Sequence, residues 1–344
     1  MARSAPKAPP RAFSYRSGTR IDGTVVACDA QGGGDLIFLS SASAVAGQAG
    51  HVRASRAQVL ATPETLALLG PAGQRLRARA LTIGYGRPFS LGALRVELLP
   101  TGVLPGAAAL FCEAGERRVL YAGCARLGPP AHGASAGEVR AADAVCIDAS
   151  YGHPRFRFLP RHEAEARVQA FVDGARAAGR AAVVLCAPLG PAQELAAALG
   201  GQGWQLRGHR SIVEGAAAYR RAGVPVPAVA RFAGKLAPGE VLLWPASERD
   251  AGSLRRLPDA SLAWVSGSAA DPDAVAELRV DAAIPYAAAP DFEGLLTYVA
   301  ATGAREVAVK NGYAEDLAAV LRARGLDAYV IGPPRQIDLF AAAE

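Results

Sequence analysis

Leu36-Ile37-Phe38-Leu39-Ser40-Ser41-Ala42-Ser43-Ala44-Val45-Ala46 decides how the rest of the chain is read. Four apolar residues of a short buried strand run straight into small hydroxyl and alkyl side chains, with no histidine or carboxylate among them. Outward from this point the first half continues as short strands bounded by Gly, Pro or Asp. The runs are Gly23 to Cys28, Asp35 to Leu39, Ala80 to Ile83, Leu94 to Leu99, Ala108 to Cys112, Arg118 to Tyr121 and Ala144 to Ile147. One helix interrupts them, where Thr62-Pro63-Glu64-Thr65 supplies a Thr cap with Pro at the first helical position ahead of Leu66-Ala67-Leu68-Leu69. After Pro160 the pattern changes to helix and strand in alternation. Arg161 to Ala178 is helical, Ala181 to Cys186 a strand and Pro191 to Leu199 a helix. The chain closes on helix Asp291 to Thr302, strand Glu306 to Val309, helix Tyr313 to Arg324 and strand Ala328 to Ile331. No repeat of solenoid period is present.

The whole chain has 344 residues, 51% hydrophobic and 20% charged, which is the profile of a globular protein with room for a large core. No apolar run approaches the roughly 18 to 20 uncharged residues that cross a bilayer. Residues 1–20 are basic and rich in Pro and Ser without a signal-peptide core, so a flexible lead-in and a cytoplasmic, non-membrane protein are expected. Cys28, Cys112, Cys124, Cys146 and Cys186 are scattered and form no CxxC pair, which fits reduced thiols. The formal charge of +6 rests on arginine, since Lys7, Lys235 and Lys310 are the lysines. It permits nucleic-acid binding without requiring it, because a composition this rich in Ala, Arg, Gly and Pro accounts for much of the excess. His51, His132, His153, His162 and His209 form no ligand pattern, and His162-Glu163 lacks the second histidine of a helical zinc motif. Gly32-Gly33-Gly34 reads as a turn, and no phosphate-binding glycine loop is present.

The order of these landmarks resembles that of the metallo-β-lactamase-fold nucleases of the β-CASP group. It is most similar to the bacterial exonucleases associated with an ATP-dependent DNA ligase and a helicase, also labelled messenger-RNA 3′-end processing factors. The resemblance runs from about Gly23 to Phe340. It implies an α/β fold, an αββα sandwich over residues 21–160 and 271–335, with an inserted α/β unit over 161–270 and a tail over 336–344. Such enzymes bind two zinc ions through an HxHxDH motif after a strand. The resemblance lays its histidine positions on Ser41, Ser43 and Ala46 and its aspartate position on Val45. Gly50-His51 and Leu60-Ala61-Thr62-Pro63-Glu64-Thr65 keep the register. A later histidine position falls on Val103 in Pro100-Thr101-Gly102-Val103-Leu104-Pro105-Gly106, and a metal-bridging aspartate position on Cys124 in Ala122-Gly123-Cys124. Two last histidine positions fall on Ala289, in Ala287-Ala288-Ala289-Pro290-Asp291-Phe292, and on Asn311 before Gly312. The acidic residue at the end of a strand is kept as Asp148. Hydroxyls, Val and Ala do not bind zinc, which takes imidazole, thiolate or carboxylate. The expectation is therefore a chain without the metal cofactor, inactive as a nuclease and acting as a nucleic-acid-binding or scaffolding subunit. An active hydrolase using a single metal or Asp148 with Cys124 is the alternative, and a purely structural partner of an active paralogue the second.

Two further segments point to partners. Tyr151-Gly152-His153-Pro154-Arg155-Phe156-Arg157-Phe158 interleaves Arg155 and Arg157 with Phe156 and Phe158, either for phosphates and bases or as an amphipathic edge strand. Arg207, Arg210, Arg220 and Arg221 form a second basic region, read as a solvated helix face. The tail Gln336-Ile337-Asp338-Leu339-Phe340 is similar to the pentapeptide with which bacterial replication and repair proteins dock on the DNA sliding clamp. The alternative is that Ile337, Leu339 and Phe340 pack on the core. The partners implied are DNA or RNA, the clamp, a helicase, an ATP-dependent DNA ligase or an active nuclease paralogue.

Overall fold

The structure is a computed structural model and describes residues 10–32, 34–45 and 56–333. The chain opens with β1 (Phe13–Tyr15), β2 (Thr19–Ile21), β3 (Val26–Cys28) and β4 (Leu36–Phe38). After α1 (Ala42–Val45) come β5 (Gln58–Ala61), α2 (Pro63–Leu68), α3 (Pro71–Leu76) and β6 (Ala80–Thr82). These six strands lie side by side in sequence order, antiparallel from β1 to β3 and parallel from β3 to β6. Then β7 (Phe89–Leu91), β8 (Leu94–Pro100), β9 (Ala108–Ala114) and β10 (Arg117–Gly123) form an antiparallel meander, and β11 (Ala144–Asp148) joins β10 in parallel.

α4 (Arg161–Ala177) leads out of this sheet. It buries Ala164, Val168, Val172 and Ala175, one helical stripe. There follow β12 (Ala181–Cys186), α5 (Pro191–Gly201), β13 (Gln205–Gly208), α6 (Arg210–Arg221), β14 (Val229–Arg231), β15 (Glu240–Pro245), α7 (Gly252–Arg255), β16 (Ala260–Ser266), α8 (Pro272–Leu278) and β17 (Ala282–Pro285). Their strands form a separate all-parallel sheet in the order β14-β13-β15-β12-β16-β17. The chain returns through α9 (Phe292–Thr302), β18 (Glu306–Lys310), α10 (Ala314–Ala323) and β19 (Asp327–Val330), and β18 and β19 extend the second sheet beyond β11.

The first two sheets face each other. Phe13, Phe38 and Leu60 from one meet Leu98, Leu110, Tyr121 and Cys146 from the other in a shared apolar core. Leu295, Tyr298 and Leu317 cover the outer face of the second sheet, and Leu66 and Leu76 cover that of the first. The result is the expected α/β sandwich, with helices outside two apposed sheets, plus a third sheet.

Two boundaries differ from expectation. The lead-in expected over residues 1–20 ends earlier, because β1 and β2 pair as a hairpin on the sheet edge and bury Phe13 to 1% exposure. Pairing with β3, burial of Ala12, Phe13 and Ile21, and bonds from Ala12 N to Glu306 and from Phe13 N to the Tyr329 hydroxyl together order the segment. The inserted unit extends past residue 270, because β17 completes the third sheet beside β16.

Candidate functional site

A buried carboxylate anchors the site. Asp29 follows β3 in the left-handed region, φ 47°, and is 8% exposed. Its Oδ1 accepts from the Ser40 backbone N–H at 2.8 Å, and its Oδ2 from Ser40 Oγ and the Tyr121 hydroxyl, each at 2.7 Å. Lys310, the last residue of β18, donates from Nζ to the Tyr121 hydroxyl at 2.5 Å and lies 3.9 Å from Asp29 Oδ2. Burial acts to lower the Lys310 pKa, but the Asp29 and Asp148 carboxylates act against it and the balance is raised, so Lys310 is a cation.

Asp148 ends β11 and is the register partner of Lys310 on the parallel neighbour β18, so both side chains leave the same face. Its Oδ1 accepts from Ser150 N at 2.9 Å and Ser150 Oγ at 2.5 Å, and its Oδ2 from Asn311 Nδ2 at 2.5 Å. Asn311 sits at φ 62°, a conformation that Asn tolerates better than most residues. Gly312 follows at φ 46°, where a Cβ would come within 2.5 Å of Ser150 Cα. Only glycine lets this turn approach the β11 loop so closely.

Asp29, Ser40, Asp148, Ser150, Lys310 and Asn311 open onto a cavity of about 430 Å³, with Tyr121 buried behind them. Ser41, Ser43, Val103, Cys124, Ala289 and Asn311 all line it, together with Asp148 and Lys310. Positions spread from residue 41 to residue 311 thus converge on one space. One of the positions singled out in the sequence does not take part. Val45 is 1% exposed and packs into the core with Ile37, Leu39, Leu66 and Leu76, and Ala46 lies outside the described residues. Val103 faces the cavity but also joins an apolar core with Leu195, Leu199 and Ile212 of the inserted unit.

The residues present do not fit a zinc pair. Ser41 and Ser43 bond each other at 3.1 Å, and Ser41 also accepts from Ala44 N. Val103 and Ala289 offer no donor atom, and Asp148 is already bound by Ser150 and Asn311 on its two oxygens. An ammonium, Lys310, stands in the wall. Zinc requires three or four imidazole, thiolate or carboxylate donors. Cys124 is no ready thiolate either, since burial and then the Asp148 carboxylate push its thiol up to about 12. His132 does not line the cavity; its Nε2 bonds the Pro225 carbonyl at 2.8 Å.

Behind the cavity the Arg155–Phe158 segment is an irregular loop, not a strand. Phe156 is 2% exposed, its ring 4.9 Å from Tyr313 and 5.3 Å from the cavity-lining Tyr151. Burial takes Phe156 out of the set of rings open to a base. Phe158 is half-buried and edge-on to Tyr151 at 4.9 Å. Arg155 is paired with Asp271 at 2.9 Å, whereas Arg157 is exposed. In the second basic region Arg207 pairs with Glu240 and Arg210 with Glu214. Gln336, Ile337, Asp338, Leu339 and Phe340 lie outside the described residues.

The sequence alone did not single out Asp29, Ser40, Tyr121 or Lys310. The one available signal was Lys310 itself, a rare lysine ending the apolar strand Glu306-Val307-Ala308-Val309. No helix among the described residues is long and apolar enough to cross a membrane.

No family model matches the chain. The chain is 28% identical over 292 residues to a protein of Opitutus terrae named a probable DNA ligase. The match takes in 83% of this chain but only 28% of the length of that relative.

Proposed function

We propose that this chain is a catalytically silent relative of the metallo-β-lactamase-fold β-CASP nucleases, which binds nucleic acid or scaffolds an assembly in DNA repair or RNA processing. The observation that carries this reading is the cavity. Positions that the sequence resemblance assigns to metal ligands meet there from separate strands and loops, and they are occupied by Ser41, Ser43, Val103, Cys124, Ala289 and Asn311. Keeping a site's architecture while emptying it of ligands fits a fold retained for binding rather than for hydrolysis. Replacing a buried cluster of charged ligands with small or apolar residues need not cost stability, which lets such a fold persist.

The likeness to a probable DNA ligase of Opitutus terrae favours DNA over RNA as the working context. Arg157 and Phe158, the latter against the cavity-lining Tyr151, are the groups we assign to the nucleic acid, with Arg155 available if it exchanges Asp271 for a phosphate. The tail Gln336–Phe340 is the segment we assign to a protein partner, the sliding clamp first, with a helicase, an ATP-dependent ligase or an active nuclease paralogue as further partners.

The test is metal analysis of the purified protein, with cleavage and binding of labelled single-stranded DNA and RNA measured on the same preparation. No cleavage with added zinc or manganese is expected, and binding that weakens steeply with salt. Cleavage that vanishes in Asp148→Ala would overturn the reading and restore the hydrolase. Absence of both binding and cleavage would leave the protein-scaffold reading, checked by clamp binding before and after deletion of residues 336–344.

A further inference from the structure

The cavity is short of metal ligands, but it is not short of positive charge. Lys310 leaves β18 beside Asp148 on β11, its direct register partner. Its side chain is 13% exposed, and its ammonium bonds the Tyr121 hydroxyl at 2.5 Å and stands 3.9 Å from Asp29 Oδ2. Two carboxylates therefore flank one ammonium at the wall of a single cavity. Asp29 is the more enclosed, and among the described residues its only ion-pair partner is Lys310, its side-chain hydrogen bonds coming from the neutral donors Ser40 and Tyr121.

An enclosed carboxylate needs a compensating charge as well as hydrogen bonds. In a metal site the ions supply it. Here it must come from the chain. We propose that Lys310 is the resident cation of the cavity, balancing Asp29 and Asp148 in place of a metal and keeping divalent metals out by charge repulsion. The proposal rests on the metal-free reading above and adds a cause to it: missing ligands alone do not define this site, because the ammonium of Lys310 stands in it as well. Asn311 completes the arrangement. By donating to Asp148 Oδ2 it occupies the carboxylate oxygen that an incoming cation would use.

The test separates ligand loss from charge exclusion. One variant restores donors at four cavity positions: Ser41→His, Ser43→His, Cys124→Asp and Asn311→His. A second carries the same changes plus Lys310→Met. Zinc affinity is read by competition with a chromophoric chelator after circular dichroism has confirmed the fold. We expect the variant that retains Lys310 to bind zinc on the order of 100-fold more weakly, since two like charges a few ångströms apart repel strongly at protein-interior dielectric. Equal affinities would overturn the proposal. Should the restored variants not fold, a cycle on the native background decides: Lys310→Met, Asp29→Asn and the double variant, each followed by chemical denaturation. If Lys310 balances Asp29, the double variant is much closer to the native protein than the sum of the single losses. Additive losses, or a Lys310→Met variant as stable as the native protein, would overturn it. Stoichiometric zinc in the native protein would instead sink the metal-free reading itself, so the two failures are distinguishable.

Discussion

Tyr121 shows how much a single hydroxyl carries in this site. It is fully buried, donates to Asp29 and accepts from Lys310, and so lies between an anion and a cation. Tyr121→Phe keeps the ring and its edge-on contact with Phe38 but removes both bonds. The expected loss is about 1–3 kcal/mol, the cost of a buried charged group deprived of a partner, read as a lower denaturation midpoint with an unchanged slope. Cys124 makes the complementary point. Its side chain lines the cavity, yet burial and Asp148 hold the thiol up to about 12. Alkylation of the folded protein at pH 8 should therefore be slow at this position and become fast in denaturant, as followed by mass spectrometry of the labelled peptide. Rapid modification of native Cys124 would revive the nucleophile that the structure argues against.

At the scale of elements, the loop that carries Val103 is pinned to α2 through one glycine. Thr62 caps α2 by accepting from Thr65 N at 3.1 Å and donates to the Gly106 carbonyl at 2.6 Å, while Thr65 Oγ1 donates to the same carbonyl at 2.8 Å. Gly106 itself sits at φ 77°, and a Cβ there would fall 2.5 Å from Thr65 N. Gly106→Ala must then strain the turn and push it off the helix, with an expected loss of about 2–4 kcal/mol in equilibrium unfolding. Thr62→Ala should cost less, about 1–2 kcal/mol, because Thr65 still serves the carbonyl. The Thr-Pro cap was legible in the sequence because capping is local chemistry. The same holds for β8 to β12, α4 and the closing α/β segments, whose apolar runs and Gly/Pro stops state their own boundaries. β1 and β2 were not legible, because basic, proline-flanked residues become strands only through pairing with β3 and burial of Phe13. In the site, glycines and apolar neighbours marked where ligands would stand. The Asp29–Tyr121–Lys310 cluster was invisible, since it joins residues 29, 121 and 310 that only the sandwich brings together.

Across the whole molecule, two buried features set how stability responds to solution conditions and how the parts act together. Cys112, Cys146 and Cys186 are fully enclosed, and burial pushes their thiols up to about 12. In the unfolded chain they ionise near 8.5, so above that pH the unfolded state sheds protons that the folded state keeps. Lys310, with its raised pKa, acts in the same direction. Their contribution is complete at neutral pH and is lost as pH rises toward about 12. The melting temperature should accordingly fall steadily above about pH 9. The second feature is Glu194, on α5 of the inserted unit and 4% exposed. It accepts from the His132 backbone N–H at 3.1 Å and the Tyr286 hydroxyl at 3.2 Å, and lies 3.7 Å from Arg161. His132 belongs to the long loop between β10 and β11, Arg161 to the start of α4, and Tyr286 to the exit from β17. One carboxylate thus ties both crossings into the inserted unit to the sandwich, next to the apolar core that Val103 and Leu104 share with it. Glu194→Gln keeps the shape and one acceptor but drops the charge facing Arg161, with an expected cost of about 1–2 kcal/mol. Glu194→Ala leaves the Tyr286 hydroxyl and the His132 N–H without their acceptor, takes one of two carboxylates from Arg161, which keeps Glu165, and should cost about 3 kcal/mol. If Glu194 couples the two parts, Glu194→Ala will also broaden unfolding, with tryptophan fluorescence, which reports on Trp204, Trp244 and Trp264 of the inserted unit, changing before far-ultraviolet circular dichroism. Coincident transitions in that variant would mean that the shared core around Leu104 holds the two parts together without the carboxylate.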